Sequence, residues 1–344
     1  MATLRSDIII PEIFTPYVIE QTTQRDAFLA SGVVQPMAEL NATEGGDFIN
    51  VPFFRANLSG DFEVLSDSTS LTPGKIQALK QTGVILHRGR AFESRDLAAL
   101  AAGADPMAAI AAKIADYVAH QRQKDLLACL AGVFGAVEAN VGAPFVDLSI
   151  DGLAGDTPTN LSPRHVAEAR SLLGDQGDKL AAVAMHSKVY YDLVERRAID
   201  YVTAADVRAT PDSAMPDAFA GSIANAYGSP SVPTYMGLRV IVSDDVQTNG
   251  SAPNTEFATY FFTQGAVASG EQMAMQTETD RDILAKSDAM AIDLHYCYHP
   301  VGARWKVTTS NPTRTQLATI TNWEKVYETK NIGIVRATVT SSFD

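Results

Sequence analysis

Apolar residues recur in steps of three and four between Pro106 and Phe134. In most of the chain beyond that stretch they come in two-residue steps or short unbroken runs. The three-and-four pattern predicts one long helix. Met107, Ile110, Ile114, Tyr117 and Val118 open an apolar stripe, and Leu126, Leu127, Leu130, Val133 and Phe134 continue it. Fifteen alanines between Leu97 and Ala139 favour helix on intrinsic grounds. Gly103 interrupts early, and Asp105-Pro106 restarts the helix with a capping side chain and proline at the first helical position. From residue 106 to residue 134 the rise is about 43 Å. Without sustained heptads, such a helix predicts a spine rather than a coiled coil.

Residues 1–44 are broken by Pro11, Pro16 and Pro36, with one short helix expected over Thr22–Ala30 carrying Phe28 and Leu29. Residues 45–95 predict a β-rich excursion. A strand over Phe48, Val51 and Phe53 and another from Gln81 to Arg90 flank a polar tip, and Gly45-Gly46 marks the turn before them. An isolated hairpin of this kind is marginal in water, so a neighbouring chain is expected to hold it. After the spine, Ser162-Pro163 caps a helix through Leu173, ended by Gly174 and Gly177. The apolar run Leu180–Met185 predicts a central strand, followed by a helix over Ser187–Arg197 with Tyr190, Tyr191 and Val194 inward. Residues 208–234, with four prolines, predict surface loop. Strands are expected at Leu238–Ser243, Thr259–Thr263, Glu271–Glu278, Ala289–His299, Ala303–Thr308 and Ile332–Thr340, with a short turn or helix after Asn311-Pro312. The class is α+β. The arm and the excursion bury little within their own chain, and exchange between many copies is their natural explanation.

Composition narrows the function. The 344 residues are 46% hydrophobic, enough for a substantial core and too many for a disordered chain. Nothing resembles a membrane-spanning run or a signal-peptide core. Two cysteines, Cys129 and Cys297, cannot form a disulfide scaffold. A net charge of -13 argues against ordinary DNA or RNA binding, which needs basic patches to replace counterions.

Candidate chemistry is sparse. The chain carries no GxxxxGK[ST], GxGxxG, HExxH, GxSxG or CxxC motif. On a strand, Asp293, His295, Cys297 and His299 share one face, and Leu294, Tyr296 and Tyr298 the other. All four are zinc-ligand types, yet residues two apart on a flat strand stand about 7 Å apart, too far to converge on one ion. His295, Cys297 and His299 are therefore weak metal candidates, and no catalytic residue or cofactor is expected. His165 and His186 flank one strand–helix unit without a nucleophile beside them. Arg88, Arg90 and Arg95 cluster before the spine, with Glu63 and Asp67 in the polar tip as their carboxylate partners, within one copy or between copies. These five residues are the intersubunit contact candidates. Trp305 and Trp323 read as core or interface anchors.

Several stretches, in this order, resemble the major capsid proteins of tailed bacteriophages with the Hong Kong 97-like fold. They are Ile8-Ile9-Ile10-Pro11-Glu12-Ile13-Phe14, Gly45-Gly46-Asp47-Phe48-Ile49-Asn50-Val51-Pro52, Arg95-Asp96-Leu97-Ala98, Met185-His186-Ser187-Lys188-Val189-Tyr190, Val240-Ile241-Val242-Ser243-Asp244-Asp245 and Asn311-Pro312-Thr313. The resemblance implies an N-terminal arm over 1–44 and an extended β loop over 45–95. It implies a peripheral domain with the spine helix over 96–159 and 271–306, and an axial domain over 160–270 and 307–344. It further implies assembly of many copies, as hexamers and pentamers, into an icosahedral shell in the host cytoplasm. The shell would enclose double-stranded DNA without reading its sequence and without any membrane. Scaffolding, if used, would come from a separate protein, because the chain starts directly in the arm; portal and decoration proteins are further partners the resemblance implies. Lys75 and Lys80 lie in the excursion, but no crosslinking motif surrounds them. Two alternatives stand beside this reading: an encapsulin-like cargo compartment, and a soluble metalloenzyme using the His295–His299 strand.

Overall fold

The computed structural model describes residues 28, 31–41, 46–54, 62, 76, 78–95, 106–135, 137, 142–150, 158–203, 231–252 and 255–343. It is a mixed helix-and-strand fold in which one long helix, Pro106–Phe134, joins two sheets. The helix keeps the bounds that its sequence predicts. Gly135, at φ +80°, ends it, and its N–H returns to the Ala131 carbonyl at 2.8 Å. The face predicted from the sequence is the buried one: Ile114, Val118, Leu126, Leu127, Leu130, Val133 and Phe134 all lie in the core. The side chain of Met107 lies outside the described residues.

The first part of the helix packs on a four-stranded sheet ordered Val34–Pro36, Val267–Asp282, Ser287–Pro300, Leu86–Arg95. Its middle two strands form a long antiparallel hairpin that outruns the expected strands at both ends. Ile292, Leu294, Tyr296 and Tyr298 are buried on one face of the hairpin, and Phe92 meets Tyr117 of the helix edge-on at 5.6 Å. The helix end instead packs Phe134 against Phe145 and Tyr260. Tyr260 belongs to an eight-stranded sheet that runs Ser149–Ile150, Ile334–Val339, Glu256–Thr263, Leu180–Met185, Leu238–Val242, Ser231–Tyr235, Asp200–Thr203 in space, with Thr248–Asn249 pairing Glu256–Thr263. Leu180–Met185 is central, as its unbroken apolar run implies.

Several expectations change. The single strand Gln81–Arg90 is two, Ala78–Val84 and Leu86–Arg95, broken at Ile85. The first pairs with Phe48–Phe54 and the second with the long hairpin, so the chain switches sheets at that residue. The base of the excursion is therefore held by its own chain. Leu40, Ile49, Ile85, Ala268 and Cys297 form a separate small core beneath it. The segment after residue 30 also lies on the body, because Val34–Pro36 adds a parallel edge strand and Phe28 is fully buried against Phe262. Leu29 and the rest of the expected Thr22–Ala30 helix lie outside the described residues, as do 208–230. Pro233, assigned to loop from the sequence, sits in a strand opposite Tyr201. The helix after residue 186 runs Ser187–Glu195 and buries Val189, Asp192 and Leu193, leaving Tyr191 and Val194 exposed. In so short a helix an i, i+4 pair fits either face. The buried face is the one whose Asp192 takes Arg196 at 3.2 Å. Trp305 and Trp323 are buried edge-on at 5.1 Å, joined by the short strand pair Ala303–Trp305 and Trp323–Lys325.

Candidate functional site

Asp125 occupies the apolar stripe of the long helix at 0% exposure. A carboxylate survives there only if donors replace its water. Three converge from three distant elements. Arg314 Nε donates to Oδ1 at 2.5 Å, Arg88 Nε to Oδ2 at 3.3 Å, and the Tyr296 hydroxyl to Oδ2 at 2.5 Å. Burial, then the adjacent Asp125 charge, holds the Tyr296 phenol far above its ordinary pKa, so it stays protonated and donates to the carboxylate. Arg314 opens the short helix Arg314–Leu317 and also donates Nη2 to the carbonyl and side chain of Gln121, at 3.1 and 2.7 Å. Arg88 donates Nη1 to Asn311 Oδ1 at 2.9 Å and Nη2 to the Pro312 carbonyl at 2.7 Å. Asn311 stands at φ +45°, a conformation that asparagine tolerates, and its Oδ1 also accepts the His87 backbone N–H at 3.1 Å. One buried charge thus pins the Asn311–Leu317 turn to both the long helix and the four-stranded sheet.

The same residues border a cleft of about 170 Å³ lined by Arg88, Arg90, Arg122 and Arg314. Arg122 lies over the Tyr296 and Tyr298 rings at 5.2 and 5.7 Å, and donates to the Tyr298 hydroxyl at 3.0 Å and to Glu271 at 3.1 Å. Of the residues singled out from sequence, Arg88 pairs with Asp125 of its own chain. Arg90 and Arg95 are exposed on the same strand, and Glu63 and Asp67 lie outside the described residues. Asp125 and Arg314 were not legible as a site. The available signal was a charge on the apolar stripe, seven residues after Val118 and eight before Val133.

The His295–His299 strand does alternate, but its polar face is divided. Asp293 is exposed, and His295 meets His87 of the adjacent strand at 4.2 Å. Cys297 is buried in the small core, and His299 Nε2 meets Gln81 Oε1 at 3.1 Å. Burial drives the Cys297 thiol up to about 12 and the His299 imidazole down to about 4, so both are neutral at pH 7. Among the described residues no three His, Cys, Asp or Glu side chains gather closely enough to hold a metal. His165 and His186 take separate partners, Ser162 at 3.0 Å and Asp244 at 3.8 Å.

Exposed apolar side chains mark the outer ends of the extended elements. Ile283 and Leu284, 79% and 97% exposed, cap the long hairpin. Phe54, Phe62 and Ile76 are exposed on the excursion, and Tyr191 and Tyr201 beside the outermost strand Asp200–Thr203.

Comparison with known proteins gives these features a setting. The family model described as Major capsid protein 13-like matches residues 12–333. The major capsid protein of Bacillus phage SPP1 is 35% identical over 340 residues, 96% of each chain. The fold is similar to the capsid of Ralstonia phage GP4, with a TM-score of 0.61 at 8% identity over 93% of this chain and 92% of that one. It is also similar to the chain in the cyanophage Pam1 capsid asymmetric unit, with a TM-score of 0.56 at 14% identity over 93% of both. A family match spanning nearly the whole chain, a relative aligned almost end to end and a shared fold agree: the chain belongs to the Major capsid protein 13-like family of phage capsid proteins.

Proposed function

We propose that this major capsid protein builds an icosahedral head shell, in hexamers and pentamers, around the double-stranded DNA of a tailed phage. Its role is structural and non-enzymatic. The observation that carries the reading is the pairing of an end-to-end capsid relationship with extended elements that end in exposed apolar side chains, Ile283 and Leu284 foremost. The Hong Kong 97-like assignment gives these parts their roles. Residues 1–44 are the arm and 45–95 the extended loop. Residues 96–159 and 271–306 form the peripheral domain, and 160–270 and 307–344 the axial domain. Glu63, Asp67, Arg90 and Arg95 contact neighbouring copies. Assembly takes place in the host cytoplasm with separate scaffolding, portal and decoration proteins. A wall built from chains of net charge -13 does not grip phosphates, which leaves packaged DNA free to fill the space.

Deleting Leu58–Ile76 tests the loop. The strands that flank it pair within their own chain, so the deleted protein is expected to fold, with unchanged far-ultraviolet circular dichroism, and to form no stable shells. Shells of normal size from the deletion would contradict the assigned role.

A further inference from the structure

Four arginines line one small cleft in an otherwise acidic chain. The cleft is lined by a single carboxylate, Asp125, which is fully buried and shared by Arg88 and Arg314. At the rim, Arg122 takes the half-exposed Glu271. Arg90 is exposed, and no described residue forms an ion pair with it. Positive charge therefore exceeds negative charge in the recess.

Three of the four arginines are already fixed, and Arg90 is the exposed one. Arg88 is tied to Asn311 and Pro312, Arg314 to Gln121, and Arg122 lies over two tyrosine rings. An incoming oxyanion finds donors whose conformational freedom has been removed, and planar guanidinium forks suit a carboxylate in particular. The position is accessible as well. Leu86–Arg95, which carries Arg88 and Arg90, is the outermost strand of its sheet, so another chain can approach along that edge.

We propose that this cleft is a socket for an Asp or Glu side chain of a second copy of the chain, a contact that deepens the capsid reading and rests on it. Charge complementarity selects the occupant. Copies of net charge -13 repel one another in general, and a recess in which arginines outnumber carboxylates turns that repulsion into a directed contact. Nucleic acid phosphate is the competing occupant and would make assembly depend on DNA or RNA.

The test uses the full chain under nuclease-treated conditions in which the parent assembles. Arg90→Glu reverses an exposed charge outside the Asp125 network. It is expected to leave the melting temperature of the unassembled protein unchanged and to raise the concentration needed for assembly by about tenfold. Arg90→Lys keeps the charge and supplies an amine for carbodiimide coupling. In shells assembled from equal amounts of ¹⁴N- and ¹⁵N-labelled Arg90→Lys protein, mass spectrometry is expected to find position 90 joined to an Asp or Glu of the other isotope. Unchanged assembly by Arg90→Glu, couplings confined to one isotope, no coupling at all, or assembly that requires added nucleic acid would each overturn the socket. Failure of the parent itself to form shells or capsomers would refute the capsid reading, and the socket with it.

Discussion

Replacing Asp125 with asparagine removes one charge and almost no volume from the junction of the long helix, the four-stranded sheet and the Asn311–Leu317 turn. In the native protein the carboxylate is fully buried, while the Arg88 and Arg314 side chains facing it are 25% and 40% exposed. Removing one member of a buried ion pair costs about 3–5 kcal/mol. Here water reaches both arginines and screens them, so the cost falls to roughly 2–3 kcal/mol. The amide brings a further mismatch. Three donors, from Arg88, Arg314 and Tyr296, face two oxygens in the native site, and asparagine replaces one of those oxygens with another donor. For a chain of this length the loss corresponds to a fall in melting temperature of about 3–4 °C. Calorimetry of the unassembled protein measures it, and a cycle with Arg314→Met isolates the pair. Arg314→Met is expected to cost about 1–2 kcal/mol less in the asparagine background than in the parent. An asparagine variant that melts with the parent, or two substitutions whose effects simply add, would refute the view that Asp125 holds the junction together.

Other outcomes follow from single residues. A Cβ at Gly132 would stand 2.3 Å from Trp323 Nε1 and closer still to the Leu317 carbonyl, a main-chain atom of the turn that the helix packs against. Gly132→Ala gains about 1 kcal/mol in helix propensity but loses about 1–3 kcal/mol or more to overpacking. A lower denaturant midpoint is therefore expected, and a higher one would contradict the close approach. His299 is held neutral by burial, with its pKa driven down to about 4, whereas the unfolded chain takes up a proton near 6.5. Between those values the unfolded state binds the extra proton, so stability is complete above pH 6.5 and is lost as the pH falls toward 4, by about 3 kcal/mol in all. His299→Gln should flatten that part of the stability–pH curve, and an unchanged slope would mean that His299 does not titrate with unfolding.

The elements that the sequence specifies most clearly are those whose local and tertiary preferences coincide. Pro106–Phe134 has a restart signal, alanine bias, one apolar stripe and a terminal glycine, all in agreement, and it forms with the predicted bounds. Leu180–Met185 is apolar throughout because it is covered on both faces. The elements that depart from expectation are those whose conformation a distant partner decides. Nothing local marks Ile85 as the point where one apolar run leaves Phe48–Phe54 for the long hairpin. Pro233 is tolerated in a strand near the sheet margin, and the short Trp323–Lys325 strand exists only opposite Ala303–Trp305. The Asp125 junction is hidden for the same reason. Tyr296 and Arg314 follow Asp125 by 171 and 189 residues, and a charge on the apolar stripe does not by itself name its partners. Conversely, the His295–His299 strand carries ligand types at strand spacing, but the fold buries one end of that face and exposes the other. Alternation alone does not reveal such a division.

Electron cryomicroscopy of the purified 344-residue chain across a concentration series is the decisive measurement of assembly. Rings of five and six subunits and closed hollow shells are expected, with Ile283 and Leu284 buried at contacts between copies. A population that stays monomeric at every concentration, with those two side chains still exposed to solvent, would contradict the capsid reading.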